Sequence, residues 1–326
     1  MTEMAQLEPT VTGTGRRHLI GMSDLDADGV ERLLGTAETI ARSLDREVKK
    51  LPALRGRLVL NLFYESSTRT LSSFDLAAKR LSADTMALRS SGSSVDKGES
   101  LKDTALTLAE YDPDVIVIRH PHIGAPKLVA EVTRAHVVNA GDGKHQHPTQ
   151  CLLDLFSMRQ NLGRDLDGIR VFIIGDILHS RVARSDIMGF QMLGMDVTLV
   201  APPTLMPRGI EEMGVKVEYD LENLQDADVI YLLRIQRERI KPGSAFLPSL
   251  REYAQIWGIS QARLRPGQRV MHPGPINRGV EIASDVADDE ENMIAHQVFS
   301  GLAVRMAILY RTIVGYSDGA ASGEVL

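Results

Sequence analysis

Short apolar runs alternate with amphipathic stretches along most of the chain. The run from Leu58 to Tyr64 is continuous and bounded, which is the pattern of a buried strand. After Ser66, Ser67 and Thr68 the spacing changes, and Phe74, Ala77, Ala78 and Leu81 fall on one helical face. Further runs predict strands at Thr85–Leu88, Val115–Ile118 and Val137–Asn139, with a helix over Glu99–Ala109 between the first two of these. Upstream, Leu25, Val30, Leu33, Leu34, Ala37 and Ile40 predict an amphipathic helix capped near Ser23 or Asp24.

A helix opening at Pro148 and running to about Leu162 precedes a second series. Its strands are predicted at Val171–Ile174, Val197–Val200, Val215–Tyr219, Val229–Leu233 and Arg269–Met271. Two runs of strand–helix alternation predict an α/β protein of two domains, each a parallel sheet flanked by helices. The boundary is expected near residue 150. One domain then covers 17–149 and is completed by a long apolar-faced helix over about 293–316; the other covers 150–292. Residues 1–16 and 317–326 are polar and aperiodic, and are expected to be tails.

In open α/β sheets, ligands bind outside the carboxyl ends of the strands. The residues that follow each strand are therefore the candidates. They are Ser67, Thr68, Arg69 and Thr70 after the first strand, Arg119 and His120 after Val115–Ile118, and the loop from Gly141 to Gln150 with His145 and His147. In the second series they are Asp176, His179 and Arg181, then Arg234 and Gln236, then His272, Pro273 and Gly274. A strand that delivers hydroxyls and a guanidinium to a helix start makes an anion site, because free N–H groups and the helix dipole point the same way. Alone, the Ser67–Thr70 stretch reads as an ordinary N-cap followed by a surface arginine. Four arginines at four strand ends change that reading. Arg69 and Arg119 in the first series and Arg181 and Arg234 in the second suit two anionic substrates meeting between the domains.

Charge and composition narrow the class. A formal charge of -6 over 326 residues lacks the basic face of a nucleic-acid binder. Hydrophobic residues at 43% and charged residues at 25% are those of a soluble globular protein. A single cysteine, Cys151, rules out a disulfide framework within the chain and any cysteine-rich zinc site. No continuous apolar run approaches the ~20 residues of a membrane span, so a cytoplasmic protein without membrane contact is expected. Gly13 and Gly15 follow no strand, and Gly141-Asp142-Gly143-Lys144 lacks P-loop spacing, so neither nucleotide signature fits. His145-x-His147 is a possible metal pair without supporting ligands, and no metal or cofactor is expected. No Gly-x-Ser-x-Gly elbow supports a serine nucleophile.

Four blocks now stand in order: Ser67-Thr68-Arg69-Thr70, His147-Pro148-Thr149-Gln150, Arg234-Ile235-Gln236-x-Glu238-Arg239, and His272-Pro273-Gly274-Pro275-Ile276-Asn277-Arg278-Gly279. From about Arg17 to Tyr316 the chain resembles the catalytic chains of the aspartate/ornithine carbamoyltransferase superfamily, on the aspartate side. Ornithine-specific members carry a cysteine in the last block and a Ser-Met-Gly loop, and this chain has neither. Arg181, Arg234 and Gln236 also suit a dicarboxylate, whereas a second amine would call for a carboxylate.

The resemblance implies a homotrimer with active sites between domains and at the subunit interface. The substrates are carbamoyl phosphate and L-aspartate, in pyrimidine biosynthesis. Carbamoyl phosphate is bound by Ser67, Thr68, Arg69, Thr70, Arg119, His147 and Gln150, with Ser94 and Lys97 reaching in from the neighbouring subunit. Aspartate is bound by Lys97, Arg181, Arg234, Gln236, Pro273 and Gly274. Arg69, Thr70, Lys97, Arg119 and His147 are the catalytic set, with His147 an electrophilic donor, and domain closure excludes water. Further assembly with a regulatory chain or a dihydroorotase is compatible with the resemblance. One departure is plain: family members usually continue Ser-Thr-Arg-Thr-Arg, and here the last position is Leu71. Two other readings compete, a carbamoyltransferase with another amino acceptor and a non-catalytic anion-binding subunit. Losing Arg234 or Gln236 would favour the former and losing His147, Lys97 or Arg119 the latter.

Overall fold

The computed structural model describes residues 17–89, 98–163, 165–236 and 249–315. The first series forms four parallel strands, β1 (Leu58–Phe63), β2 (Asp84–Arg89), β3 (Val115–His120) and β4 (His136–Asp142), in the order β2-β1-β3-β4. The second forms five, β5 (Arg170–Gly175), β6 (Asp196–Val200), β7 (Lys216–Glu218), β8 (Val229–Leu233) and β9 (Arg269–Met271), in the order β7-β6-β5-β8-β9. All neighbouring pairs are parallel. The two predicted parallel sheets are both present.

The helices are α1 (Ala27–Leu44), α2 (Thr68–Arg80), α3 (Leu101–Ala109), α4 (Ala125–Val132), α5 (Pro148–Leu162), α6 (Arg181–Met192), α7 (Leu250–Trp257), α8 (Ser284–Ala287) and α9 (Ile294–Val314). The start of α1 differs from expectation. Ser23 and Asp24 lie in a short 3-10 turn, and Asp26 caps the helix by accepting the Gly29 N–H at 2.6 Å. An aspartate three residues before a free amide outcompetes the upstream pair because its carboxylate reaches that amide directly.

The chain divides into two compact units. One runs to Phe156 and resumes at Phe299; the other is Ser157–Val298. In the first, Leu60, Leu62, Ile116, Ile118 and Val137 of the sheet pack with Leu108 of α3 and Val129 of α4. In the second, Phe172, Ile174, Ile230, Leu232 and Val270 form the core with Ile259, Ile282 and Val286. By length and composition α9 is apolar enough to cross a membrane, yet 67% of its most apolar window is buried in the protein. Its Arg305 and Arg311 break the apolar run, and it is built as a core helix.

Candidate active site

In the first sheet, β1 connects to β2 on one side and pairs with β3 on the other, so the strand order reverses between β1 and β3. That is where an α/β sheet opens a crevice at its carboxyl edge. Phe63 pairs with Arg119 in register, and the Tyr64 N–H donates to the Arg119 carbonyl at 2.8 Å. Ser67 caps α2 but its side chain makes no capping hydrogen bond. Asp26, Ser100, Ser180 and Ser249, by contrast, each cap their helices through a side-chain oxygen. The first-turn N–H groups of α2 are thus not capped by the Ser67 side chain, an arrangement suited to an anion. Thr68 and Arg69 are exposed there and Thr70 is buried.

Arg119 is held on two sides. Its Nη1 donates to the Ala140 carbonyl on β4 at 3.1 Å, and its Nε lies 3.3 Å from Glu65 Oε2. The loop after β4 is organised by buried Asp142. That carboxylate accepts from Asn139 Nδ2 at 2.8 Å, from the Gln146 N–H at 3.1 Å and from the Gly124 N–H at 3.0 Å. Gly143 takes φ 49°, and a Cβ there would lie 2.9 Å from Ile123 Cγ1 and 3.0 Å from the Pro121 carbonyl. His147 and Gln150 are buried at the start of α5. His145 is spoken for by Asp142 Oδ2 at 3.1 Å, and His147 Nδ1 lies 3.3 Å from Thr149 Oγ1. Among the described residues no group of three His, Cys, Asp or Glu converges on a point.

The second sheet repeats the device, with its order reversing between β5 and β8. Gly175 ends β5 at φ 133°, where a Cβ would fall 2.2 Å from the Leu233 carbonyl, so only glycine lets the two strand ends lie together. Asp176 is fully buried. Its Oδ1 lies 2.8 Å from His179 Nδ1, and its Oδ2 accepts the Gln236 N–H at 3.0 Å. Arg181 is buried at the first position of α6. After β9, the Gly274 N–H donates to His272 Nδ1 at 2.7 Å. His272 Nε2 lies 3.2 Å from Glu281 Oε1, which also accepts the Asn277 N–H at 2.6 Å. Gly274 turns at φ 62°, a left-handed conformation that favours glycine.

These two anion-facing edges coincide with two domain families. Residues 17–160 match the carbamoyl-phosphate-binding domain of aspartate/ornithine carbamoyltransferases, and residues 167–312 match their Asp/Orn-binding domain. The chain belongs to the aspartate/ornithine carbamoyltransferase family. It is 53% identical over 298 residues to the aspartate carbamoyltransferase catalytic subunit of Pelotomaculum thermopropionicum, covering 90% of this chain and 96% of that one. The corresponding protein of Acidothermus cellulolyticus is 52% identical over 312 residues, with 94% and 95% covered. Among solved structures, the aspartate transcarbamoylase of Trypanosoma cruzi in complex with carbamoyl phosphate and aspartate superposes with a TM-score of 0.81 at 32% identity, covering 93% of this chain and 98% of that one. The catalytic subunit of the M. jannaschii enzyme gives 0.80 at 34%, with 93% and 99% covered.

As a family member, the chain brings Ser67, Thr68, Arg69, Thr70, Arg119, His147 and Gln150 to the carboxyl edge of the first sheet. Arg181, Arg234, Gln236, Pro273 and Gly274 lie at that of the second. Ser94 and Lys97 lie outside the described residues. Leu71, the departure from the carbamoyltransferase pattern, is buried on α2, so this position serves the core rather than the anion edge. Glu65 and Glu281 were not singled out from the sequence, and Asp176 only as a strand-end residue. Each is a carboxylate that fixes a neighbouring site group. Glu65 adjoins the hydroxyl stretch directly, and that adjacency was the one signal available for it.

Proposed function

We infer that this chain is the catalytic chain of an aspartate carbamoyltransferase. It transfers the carbamoyl group of carbamoyl phosphate to the amine of L-aspartate, giving N-carbamoyl-L-aspartate and phosphate, a step of pyrimidine biosynthesis. The observation that carries this is the anion edge formed by the open start of α2 beside Arg119, in a chain 53% identical to a curated catalytic subunit.

The phosphate of the donor sits on the N–H groups of α2 with the hydroxyls of Ser67, Thr68 and Thr70, and its charge is matched by Arg69 and Arg119. The aspartate amine attacks the carbamoyl carbon, and the carbonyl electrons move onto oxygen. Thr70, Arg119 and His147 donate to that oxyanion, which is where fixed dipoles lower a barrier most. The C–O bond to phosphate then breaks, and the leaving phosphate takes the electron pair and the amine proton. His147 acts as a donor and not as a base, so the chain needs no general base of its own. Gln150 receives the carbamoyl nitrogen. Arg181, Arg234 and Gln236 hold the two carboxylates of aspartate, and the carbonyls at Pro273 and Gly274 orient its amine. The carbamoyl phosphate domain expected at 17–149 with the C-terminal helix then also takes in the start of α5, where Gln150 lies, and the aspartate domain is the rest of the expected 150–292.

The family resemblance of the stretch from Ser91 to Glu99 supports a homotrimer in which Ser94 and Lys97 serve the neighbouring subunit's site. Mixing Lys97→Ala chains with Arg69→Ala chains then restores activity by forming intact sites. A cytoplasmic location is supported by Cys151, buried and the one cysteine of the sequence, which leaves no disulfide within the chain. The deciding assay supplies purified protein with carbamoyl phosphate and either aspartate or ornithine. Carbamoylation of aspartate alone is expected; turnover of ornithine, or of neither, overturns the reading.

A further inference from the structure

Gln150 and Asp154 lie one turn apart on α5, and both are buried, Asp154 completely. Gln150 Nε2 lies 3.0 Å from Asp154 Oδ1 and 3.2 Å from Oδ2. An ionised carboxylate only accepts hydrogen bonds. The NH2 end of the Gln150 amide is therefore the end that faces Asp154, and its carbonyl oxygen is turned the other way. Arg305, also buried on α9, and Asp154 act on each other electrostatically, and an ion pair is how a buried carboxylate keeps its charge. With Asp154 charged, flipping the Gln150 amide would set two acceptors against each other in the interior.

We propose that Asp154 is a positioning residue that makes the donor site select a carbamoyl over an acyl group, by fixing Gln150 as a pure acceptor. The inference rests on the reading above that Gln150 meets the carbamoyl nitrogen. An NH2 group at that point gives Gln150 Oε1 a donor. A methyl group of almost the same size leaves the oxygen desolvated and unpaired, and sites built around a hydrogen bond reject analogues that lack it. Were the amide free to flip, its NH2 end would meet the substrate's NH2 and the discrimination would vanish. Acetyl phosphate is the matching probe, since it differs from carbamoyl phosphate only in a methyl for the amino group.

The measurement is the ratio of the Ki for acetyl phosphate to the KM for carbamoyl phosphate in the full-length enzyme. Asp154→Asn offers Gln150 a donor as well as an acceptor and releases the amide. The ratio is expected to fall about tenfold, the worth of one hydrogen bond, through a rise in KM while Ki holds. A loss of packing alone would weaken both ligands together. Should Asp154→Asn fail to fold because Arg305 loses its anion, the double variant Asp154→Asn with Arg305→Met removes the stranded charge. Gln150→Met serves as the control. A fall in both the Asp154 variant and Gln150→Met supports the proposal. A fall in Gln150→Met alone overturns it and leaves the role of Gln150 standing. No fall in either overturns that role as well.

Discussion

Arg305 Nη1 on α9 donates to Ser73 Oγ on α2 at 2.9 Å, joining residues 232 positions apart. The guanidinium also lies 5.3 Å from the centroid of the Phe74 ring. Burial pulls this group down to about 10; Asp154 acts against that shift and Arg69 adds to it. One buried cation thus bonds to α2, whose start is the proposed phosphate site, and acts on Asp154 of α5, the helix that follows His147 and carries Gln150. Removing it takes the countercharge from buried Asp154 and the donor from Ser73. Arg305→Ala is expected to cost about 3–5 kcal/mol, read as a lower urea midpoint with unchanged slope. A midpoint within experimental error of the parent's would show that the charge is not integral to the fold.

The chain Gly274–His272–Glu281 makes a sharper prediction, because each of its atoms has one direction. His272 Nδ1 accepts the Gly274 N–H, so the ring proton sits on Nε2 and is donated to Glu281 Oε1. Glu281→Gln keeps an acceptor at that point and should stay within about twofold of the parent. Glu281→Ala leaves buried His272 Nε2 and the part-buried Asn277 N–H without this acceptor, at a cost of about 1–3 kcal/mol. The KM for aspartate is expected to rise in Glu281→Ala while that for carbamoyl phosphate holds. An equal rise in both would detach this chain from the aspartate half of the site.

Glu65 and Arg119 form a partly buried pair, with side-chain exposures of 23% and 15%. Glu65→Ala frees one edge of the guanidinium but leaves the Ala140 carbonyl to hold the other. A loss of about 0.5–1 kcal/mol in orienting Arg119 predicts a two- to fivefold rise in the KM for carbamoyl phosphate. Steady-state kinetics at low and high salt check it. The parent's advantage should shrink at high salt, and an unchanged KM would make Glu65 a bystander.

Which residues form the edges of the site was largely legible, and what orients them was not. Ser67–Thr70 and Arg119 stand out because an apolar strand stops abruptly at each. The strand order that makes those points crevices is a property of the folded sheets, yet short strands ending in polar groups already located them. The carboxylates are different. Asp176 meets Gln236 across 60 positions and Glu65 meets Arg119 across 54. In a sequence, a buried aspartate that accepts a backbone N–H looks the same as a solvated one. Asp26 shows the same limit on a smaller scale, since three acidic or hydroxylic residues before α1 compete to cap it and geometry decides among them.

His136, at the start of β4, gives the fold a dependence on pH that is separable from the chemistry. Its Nδ1 accepts the Arg17 N–H at 2.9 Å. Burial pushes the ring down to about 4, and the charges of Arg17 and His18 add to the fall. The unfolded chain titrates this ring at ~6.5. Between about 6.5 and 4 the unfolded state therefore binds a proton that the folded state excludes. The stabilisation is complete above 6.5 and is lost as the pH falls toward 4. His136→Asn presents an amide oxygen where Nδ1 was, keeps an acceptor for Arg17 and cannot titrate. Urea midpoints measured at pH 7, 5.5 and 4.5 should fall more steeply in the parent than in the variant. Parallel slopes would mean that His136 takes up its proton equally in both states, and the half-buried, neutral ring would have to be abandoned.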